Sequence, residues 1–274
     1  CAGAPMPSEA AARIGNRRAE MNARPDGPPP LFAHDRIALF LDLDGTLIEL
    51  APRPGDVVVP PGLPSLLERL HERTGGALAI ASGRPLADID RLLAPLHLPA
   101  AGTHGTELRD AAGGPVHSVG EPLPGALRDR LSGIAKELQS QWHGVSIEDK
   151  ASALAIHYRL APEAEAALRA ALDRVDLPSG WQILSGHCVY EIRARDHNKG
   201  AAVKTLMRAP AFAGRMPVFV GDDRTDLDGI AGAVAGGGHG IAVGSLDAPA
   251  AEWRLPDVPA VHDWLGRLLG IKED

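Results

Sequence analysis

Cysteine is nearly missing: the 274-residue chain has 2, Cys1 and Cys188. Two thiols supply neither a disulfide framework nor a zinc cluster, and a reducing, cytoplasmic compartment is the expectation. Aromatic residues are scarce as well, at 4%, so Leu, Ala, Val and Ile must fill the core. No apolar run approaches the roughly 18 residues needed to cross a bilayer, and no membrane partner is expected. Positive charge is the third deficit. The net charge is -7, with no Lys/Arg block, which argues against a nucleic-acid surface built on phosphate neutralisation. An anionic ligand would therefore need local positive charge or a metal. The first 34 residues lack the apolar centre of a secretory signal, are rich in Ala, Pro and Arg, and read as a flexible leader. What is present, 45% hydrophobic and 23% charged residues, is ordinary for a globular protein of one large or two smaller domains.

From residue 36 short apolar runs alternate with helical periodicity. IALFLDL (37–43), ALAIA (77–81), LPAAG (98–102), PVFVG (217–221) and IAVG (241–244) read as strands. Between the first two, Leu63, Leu66, Leu67 and Leu70 recur at helix spacing, and RPLADIDRLLAPL (84–96) forms a second helix with Pro85 in its first turn. Continuous apolar strands separated by helices imply a parallel sheet covered on both faces. The middle reads differently. A helical stretch carrying Leu123, Leu127, Leu131, Ile134 and Leu138 precedes SALAIHYRL, a second helical stretch around 162–175, and the strands WQIL and CVYEIR. In the last of these Cys188, Tyr190 and Ile192 alternate with Val189, Glu191 and Arg193, the pattern of an antiparallel sheet with one face in solvent. The expected fold is α/β: a Rossmann-like core over 35–114 and 196–274, interrupted by a small α+β domain over 115–195. Gly113, Gly114 and Gly200, near the junctions, are candidate hinges.

In open parallel sheets ligands bind beyond the carboxyl ends of the strands. Collecting the residues there gives Asp42, Asp44 and Thr46 after the first strand, Ser82 and Arg84 after the second, and Asp222, Asp223 and Asp226 after PVFVG. Asn198 can cap a helix whose first turn holds Lys199. Converging carboxylates repel unless a divalent cation neutralises them, and hard oxygen ligands suit Mg²⁺. A carboxylate beside Mg²⁺ and a Lys is a competent nucleophile toward phosphorus. Asp42 is assigned that role. Asp44, two residues on, is placed to protonate a leaving alkoxide and then deprotonate water. The hydroxyl and backbone N–H of Ser82, with Lys199, would hold the phosphoryl oxygens. Each residue alone has an ordinary explanation: a DxD on a loop, a Ser at a helix N-cap, a solvated Lys, an Asx turn. Their joint occurrence, in order and each at an element boundary, does not.

DLDGTL (42–47), SGR (82–84), NKG (198–200) and GDD (221–223) together resemble the four motifs of the haloacid dehalogenase superfamily, mostly Mg²⁺-dependent phosphatases and phosphomutases. The insertion resembles that superfamily's C2-type cap. GTHGTE (102–107), EDKASALAIHYR (148–159), VYEIR (189–193) and GDDRTD (221–226) are similar to the trehalose-6-phosphate phosphatase family. The resemblance implies Asp42 as nucleophile, Asp44 as general acid/base, and Mg²⁺ held by the Asp42 carboxylate, the Asp44 backbone carbonyl and Asp222, with Asp223 and Asp226 nearby. Thr46, Ser82, Arg84 and Lys199 form the implied phosphate site, Arg84 in support. In the cap, Glu148, Lys150 and Glu191 fall where the family grips sugar hydroxyls, and His104, His157, His187 and Arg193 join them as candidate substrate contacts. One departure is visible: the family's Lys is replaced by His187, which has no permanent cation and less reach. Glu191 and Arg193 could equally be the solvated side of their strand, and His104 and His157 structural hydrogen-bonders. The implied activity is hydrolysis of trehalose 6-phosphate, with a trehalose-phosphate synthase as functional partner. The alternatives are another sugar phosphatase or phosphomutase, a signalling module phosphorylated on Asp, and a silent sugar-binding homologue.

Overall fold

The computed structural model describes residues 28–119, 122–149, 152–186 and 188–270. Its larger sheet has the strand order β12-β11-β10-β1-β2-β3-β4-β5. Six of these strands run parallel: β1 (Ile37–Leu41), β2 (Leu78–Ala81), β3 (Ala100–Gly102), β10 (Met216–Gly221), β11 (His239–Val243) and β12 (Trp253–Leu255). The short β4 (Glu107–Arg109) and β5 (His117–Ser118) extend it antiparallel. β1 is buried at every position because both faces are covered. Ile37, Leu39 and Leu41 meet one apolar layer with α1 (Leu63–Arg73), α2 (Leu86–Leu92) and α7 (Val258–Leu269). Ala38 and Phe40 meet the other, with α5 (Lys199–Leu206) and α6 (Asp226–Ala235). The chain leaves β1 toward β2 on one side and later returns through β10 on the other, so the strand order reverses between β1 and β10. That is the crevice where such sheets bind ligands.

The second sheet is antiparallel, in the order β6 (Ser146–Asp149), β7 (Ala153–His157), β9 (Val189–Ala194), β8 (Trp181–Gly186). One face carries Leu154, Ile156, Tyr190 and Ile192 against α3 (Gly125–Gln141) and α4 (Glu165–Leu172), a separate apolar cluster. The opposite face, expected in solvent, is not exposed along β9. Glu191 is 5% and Arg193 1% accessible, because that face closes onto the parallel sheet's domain: Glu191 meets His104, and Arg193 donates to the His197 carbonyl. Alternation shows which side chains share a face, not what covers it.

Three further expectations change. His117–Ser118, assigned from sequence to the insertion, pairs with β4 in the larger sheet. Gly200 is no hinge: a Cβ there would lie 2.4 Å from the Asp228 carbonyl oxygen, so its missing side chain is what lets α5 cross α6 closely. Gly113 and Gly114 lie in the β4–β5 connection of the larger sheet, away from the chain crossings between sheets. Of the expected leader, residues 1–27 lie outside the described residues, but its end is packed. Phe32 stacks on His239 at 5.2 Å between ring centroids, and its edge meets Trp253 and Trp264. No helix among the described residues is long and apolar enough to cross a membrane.

Candidate active site

Asp42 directly follows β1, and its backbone N–H still donates to Val220 in β10 at 3.0 Å, which holds the two strand ends side by side. The chain then turns tightly: the N–H groups of Leu47 and Ile48 both donate to the Leu43 carbonyl. Gly45, at φ +83°, makes the turn, and a Cβ there would sit 2.1 Å from Asp222 Oδ2. The first acidic loop can therefore approach the second only through a glycine. The turn also aims Thr46 at Asp222, to whose Oδ1 its hydroxyl donates at 3.3 Å. Thr46 is fully buried and does not line the cavity, so it supports Asp222 rather than a phosphate.

Asn198 caps α5, its Oδ1 accepting from Ala201 N–H at 2.8 Å, which sets Lys199 in the first turn. Lys199 is 2% accessible and donates to Asp42 Oδ1 at 2.6 Å and to Asp226 Oδ1 at 2.5 Å. Asp226 was named from sequence only as a neighbour; its work is larger. Fully buried, it accepts from the N–H groups of Asp222 and Asp223 through Oδ2, at 3.0 and 2.9 Å, and so shapes the GDD turn. The signal was there in the D-D-x-x-D spacing that opens α6.

Carboxylate oxygens of Asp42, Asp222 and Asp226 lie within 4.8 Å of one another. One Lys cannot balance two buried carboxylates and a half-buried third. Burial foremost, with Asp226 adding to it, holds Asp42 well above the usual carboxylate range. Asp222 is pushed up to about 7 by burial and again by Asp226. For Lys199 burial opposes the charge, yet Asp226 and Asp42 outweigh it and hold the ammonium above its ordinary value. A deficit of positive charge among hard oxygen donors is the chemistry of a divalent-cation site, and the donor set fits one. Asp222 in the native state titrates above its ordinary 3.8. The cation-free fold thus holds a proton that the unfolded chain releases, and its stability falls as pH rises across that interval. A cation displaces the proton. The rise in Tm on replacing chelator by Mg²⁺ should then be larger at about pH 7.5 than at about pH 5, by roughly a few degrees. A flat or shrinking increment would count against this cluster as the cation site.

The SGR turn follows β2. The Ser82 hydroxyl accepts from Arg84 N–H at 3.1 Å. Its own N–H donates to the Ala101 carbonyl at 2.8 Å, so the expected contact from that N–H to a phosphoryl oxygen is not made. The sheet ladder claims it, and only the hydroxyl remains to donate. Arg84 grips Asp44 side-on, its Nε and Nη2 donating to Oδ2 and Oδ1 at 2.6 Å each.

Asp42, Asp44, Ser82, Arg84, Lys199 and Asp222 open on one cavity of about 570 Å³. From the second sheet's side His157 and Glu148 line it, 2.9 Å apart. His104 lines it too, but its Nε2 faces Glu191 Oε2 at 2.9 Å. Glu191 and Arg193, expected as substrate contacts, are not on the cavity wall. They are buried where the two sheets meet, with Arg193 3.8 Å from Asp228. Lys150 and His187 lie outside the described residues. The sequence reading missed Arg159, which lines the cavity and donates to the Ala51 carbonyl, joining the end of the β7 segment to the loop after β1. Its position inside EDKASALAIHYR was the available signal.

A family model described as Trehalose-phosphatase matches residues 40–235. The chain is 40% identical over 231 residues to the trehalose-6-phosphate phosphatase of Escherichia coli (strain K12), covering 84% of this chain and 85% of that one. It is 42% identical over 239 residues to a probable trehalose-phosphate phosphatase of Sinorhizobium fredii, covering 86% and 88%. Among solved structures the C-terminal domain of the C. albicans trehalose-6-phosphate phosphatase superposes with a TM-score of 0.75 at 23% identity, over 87% of this chain and 94% of that one. That likeness speaks for the fold. Identity of 40% and 42% along most of both partners goes further, and the chain belongs to the trehalose-phosphatase family.

Proposed function

We propose that the protein hydrolyses trehalose 6-phosphate to trehalose and phosphate, with Mg²⁺ and through an aspartyl-phosphate on Asp42. The observation that carries this reading is a single cavity in which Asp42, beside a buried Lys199, faces polar groups of a second sheet able to grip sugar hydroxyls. Relatives of 40% and 42% identity named for this activity support the choice of sugar.

When bound, Mg²⁺ supplies charge neutralisation and polarisation of a phosphoryl oxygen, with the carboxylates of Asp42 and Asp222 and, as the resemblance implies, the Asp44 carbonyl as its protein ligands. The chain's own groups do the rest. Asp42 attacks phosphorus; the bond from phosphorus to the sugar oxygen breaks, and Asp44 gives that oxygen its proton. Asp44, now a carboxylate, takes a proton from water, the water oxygen attacks phosphorus, and the bond to Asp42 breaks to free phosphate. Both Asp44 oxygens are engaged by Arg84, so this work requires that pair to open. Lys199 orients Asp42, and the Ser82 hydroxyl donates to the transferring group. The second sheet acts as a cap, excluding bulk water and selecting the sugar. We assign it the insertion between β5 and α5, close to the 115–195 expected from sequence. A trehalose-phosphate synthase is the partner that supplies the substrate, and the cytoplasm the compartment.

The direct test is phosphate release from trehalose 6-phosphate with Mg²⁺ and with chelator, beside a panel of hexose and disaccharide phosphates. Release is expected with Mg²⁺ alone, fastest from trehalose 6-phosphate; faster turnover of a hexose monophosphate would overturn the substrate assignment. Asp44→Asn should lower turnover by about 10² to 10⁴-fold with the fold intact. A signalling module would still accept phosphate on Asp42 with that substitution.

A further inference from the structure

The turn between β3 and β4 is strained. Thr103 and His104, neither a glycine, both lie in the left-handed region, at φ 46° and 53°. Such conformations are unfavourable for any residue with a Cβ and persist where the surroundings demand them. The surroundings here are the phosphate turn on one side and the cap on the other. Thr103 N–H donates to the Arg84 carbonyl at 2.8 Å and His104 N–H to that of Ser82 at 3.0 Å, so the strained backbone is bonded at two points to the SGR turn. The His104 ring lies against Gly83, where a Cβ would come within 2.6 Å of it. Gly105 packs on the carbonyl of Asn198, next to Lys199.

Toward the cap the same turn offers side chains. His104 Nε2 is 2.9 Å from Glu191 Oε2, with both side chains about nine-tenths buried at 11% and 7% accessibility. The Ser152 hydroxyl donates to Thr106 Oγ1 at 2.8 Å, and that hydroxyl donates to the Thr103 carbonyl at 3.1 Å. Arg193 stands 3.8 Å from the same Glu191 oxygen, a cation that favours the carboxylate as His104's partner.

We propose that His104 is a positioning residue that joins the cap to the phosphate turn: through Glu191 it fixes strand β9, and through its ring and backbone it fixes Ser82–Gly83–Arg84. The kinetic consequence rests on the phosphatase reading above; the structural one does not.

A double-mutant cycle tests it. His104→Ala and Glu191→Ala should each lower kcat/KM for trehalose 6-phosphate by at least about tenfold, chiefly through KM. The double variant should be no worse than His104→Ala alone, because that change already breaks the tie to Glu191. His104→Gln, whose amide nitrogen reaches close to the place of Nε2, should recover most of the loss. Additive losses, or equal activity of the Ala and Gln variants, would overturn the proposal. Hydrogen exchange on the full chain reads the tie without substrate. The backbone of β9 and of residues 82–84 should exchange faster in His104→Ala than in the parent, and at the parental rate in His104→Gln; unchanged exchange in His104→Ala also overturns it. If the parent hydrolyses 4-nitrophenyl phosphate but not trehalose 6-phosphate, the substrate assignment fails while the exchange result still decides the tie.

Discussion

Asp42→Asn is expected to release phosphate at least about 10⁴-fold more slowly than the parent, while remaining folded. An amide nitrogen or oxygen is a far weaker nucleophile toward phosphorus than a carboxylate, so no phosphoenzyme forms. The local packing survives the change. The side chain is isosteric, and its remaining carbonyl oxygen can still accept from Lys199, as Asp42 Oδ1 does at 2.6 Å. Without a cation the variant should even melt at or above the parent's temperature. Burial and the facing Asp226 disfavour the charge on Asp42, and the substitution removes it. Phosphate release and thermal melting in chelator, measured on one preparation, check both halves. Activity within tenfold of the parent would sink Asp42 as nucleophile; a collapsed fold would sink the account of what Lys199 holds.

The opposite behaviour is expected of Lys199→Met. This side chain is fully enclosed and bonded to two carboxylates. Its removal leaves Asp42 and Asp226 facing each other without their cation, and breaking a buried pair from one side costs about 3–5 kcal/mol. Turnover should be lost together with stability. The penalty should shrink at about pH 5, where the carboxylates escape repulsion by taking up protons, and should shrink again when Mg²⁺ is added. Denaturant midpoints at two pH values with and without the cation distinguish this from a loss of packing alone, which neither condition would relieve. A variant as stable as the parent in chelator at about pH 8 would show that Lys199 does not hold the acidic cluster together.

Much of this was legible in the sequence for a definite reason. A strand of a parallel sheet, buried on both faces, appears as an unbroken apolar run, so the first charge after it marks the strand's carboxyl end. Asp42 after IALFL and Asp222 after MPVFVG announced themselves in this way, and the helix cap Asn198 placed Lys199. Neighbouring motif residues were harder to assign. Thr46 and Asp226 sit within two of the motif-bearing stretches, but their tasks, donating to Asp222 and gathering Asp222, Asp223 and Lys199, depend on loops that meet only after folding. The cap strands show the limit most plainly. Their alternation separated Tyr190 and Ile192 from Glu191 and Arg193 correctly, and said nothing of the second domain that would bury the charged pair.

By itself, then, the sequence determined the order of the main parallel strands and the helices between the first of them, the acidic residues at the strand ends, and the family to which the chain is similar. The first two follow from local periodicity and short spacing, the third from the resemblance carried by the motifs. Only the tertiary structure decided which carboxylates share one Lys, that Arg84 grips Asp44, that the Ser82 N–H belongs to the sheet, and that His104 and Glu191 meet at the seam. Each of the four side-chain pairings joins residues at least 27 positions apart, and the Ser82 bond ties one strand end to the next. Contacts of that kind are set by the packing of whole sheets and helices, which no local pattern encodes.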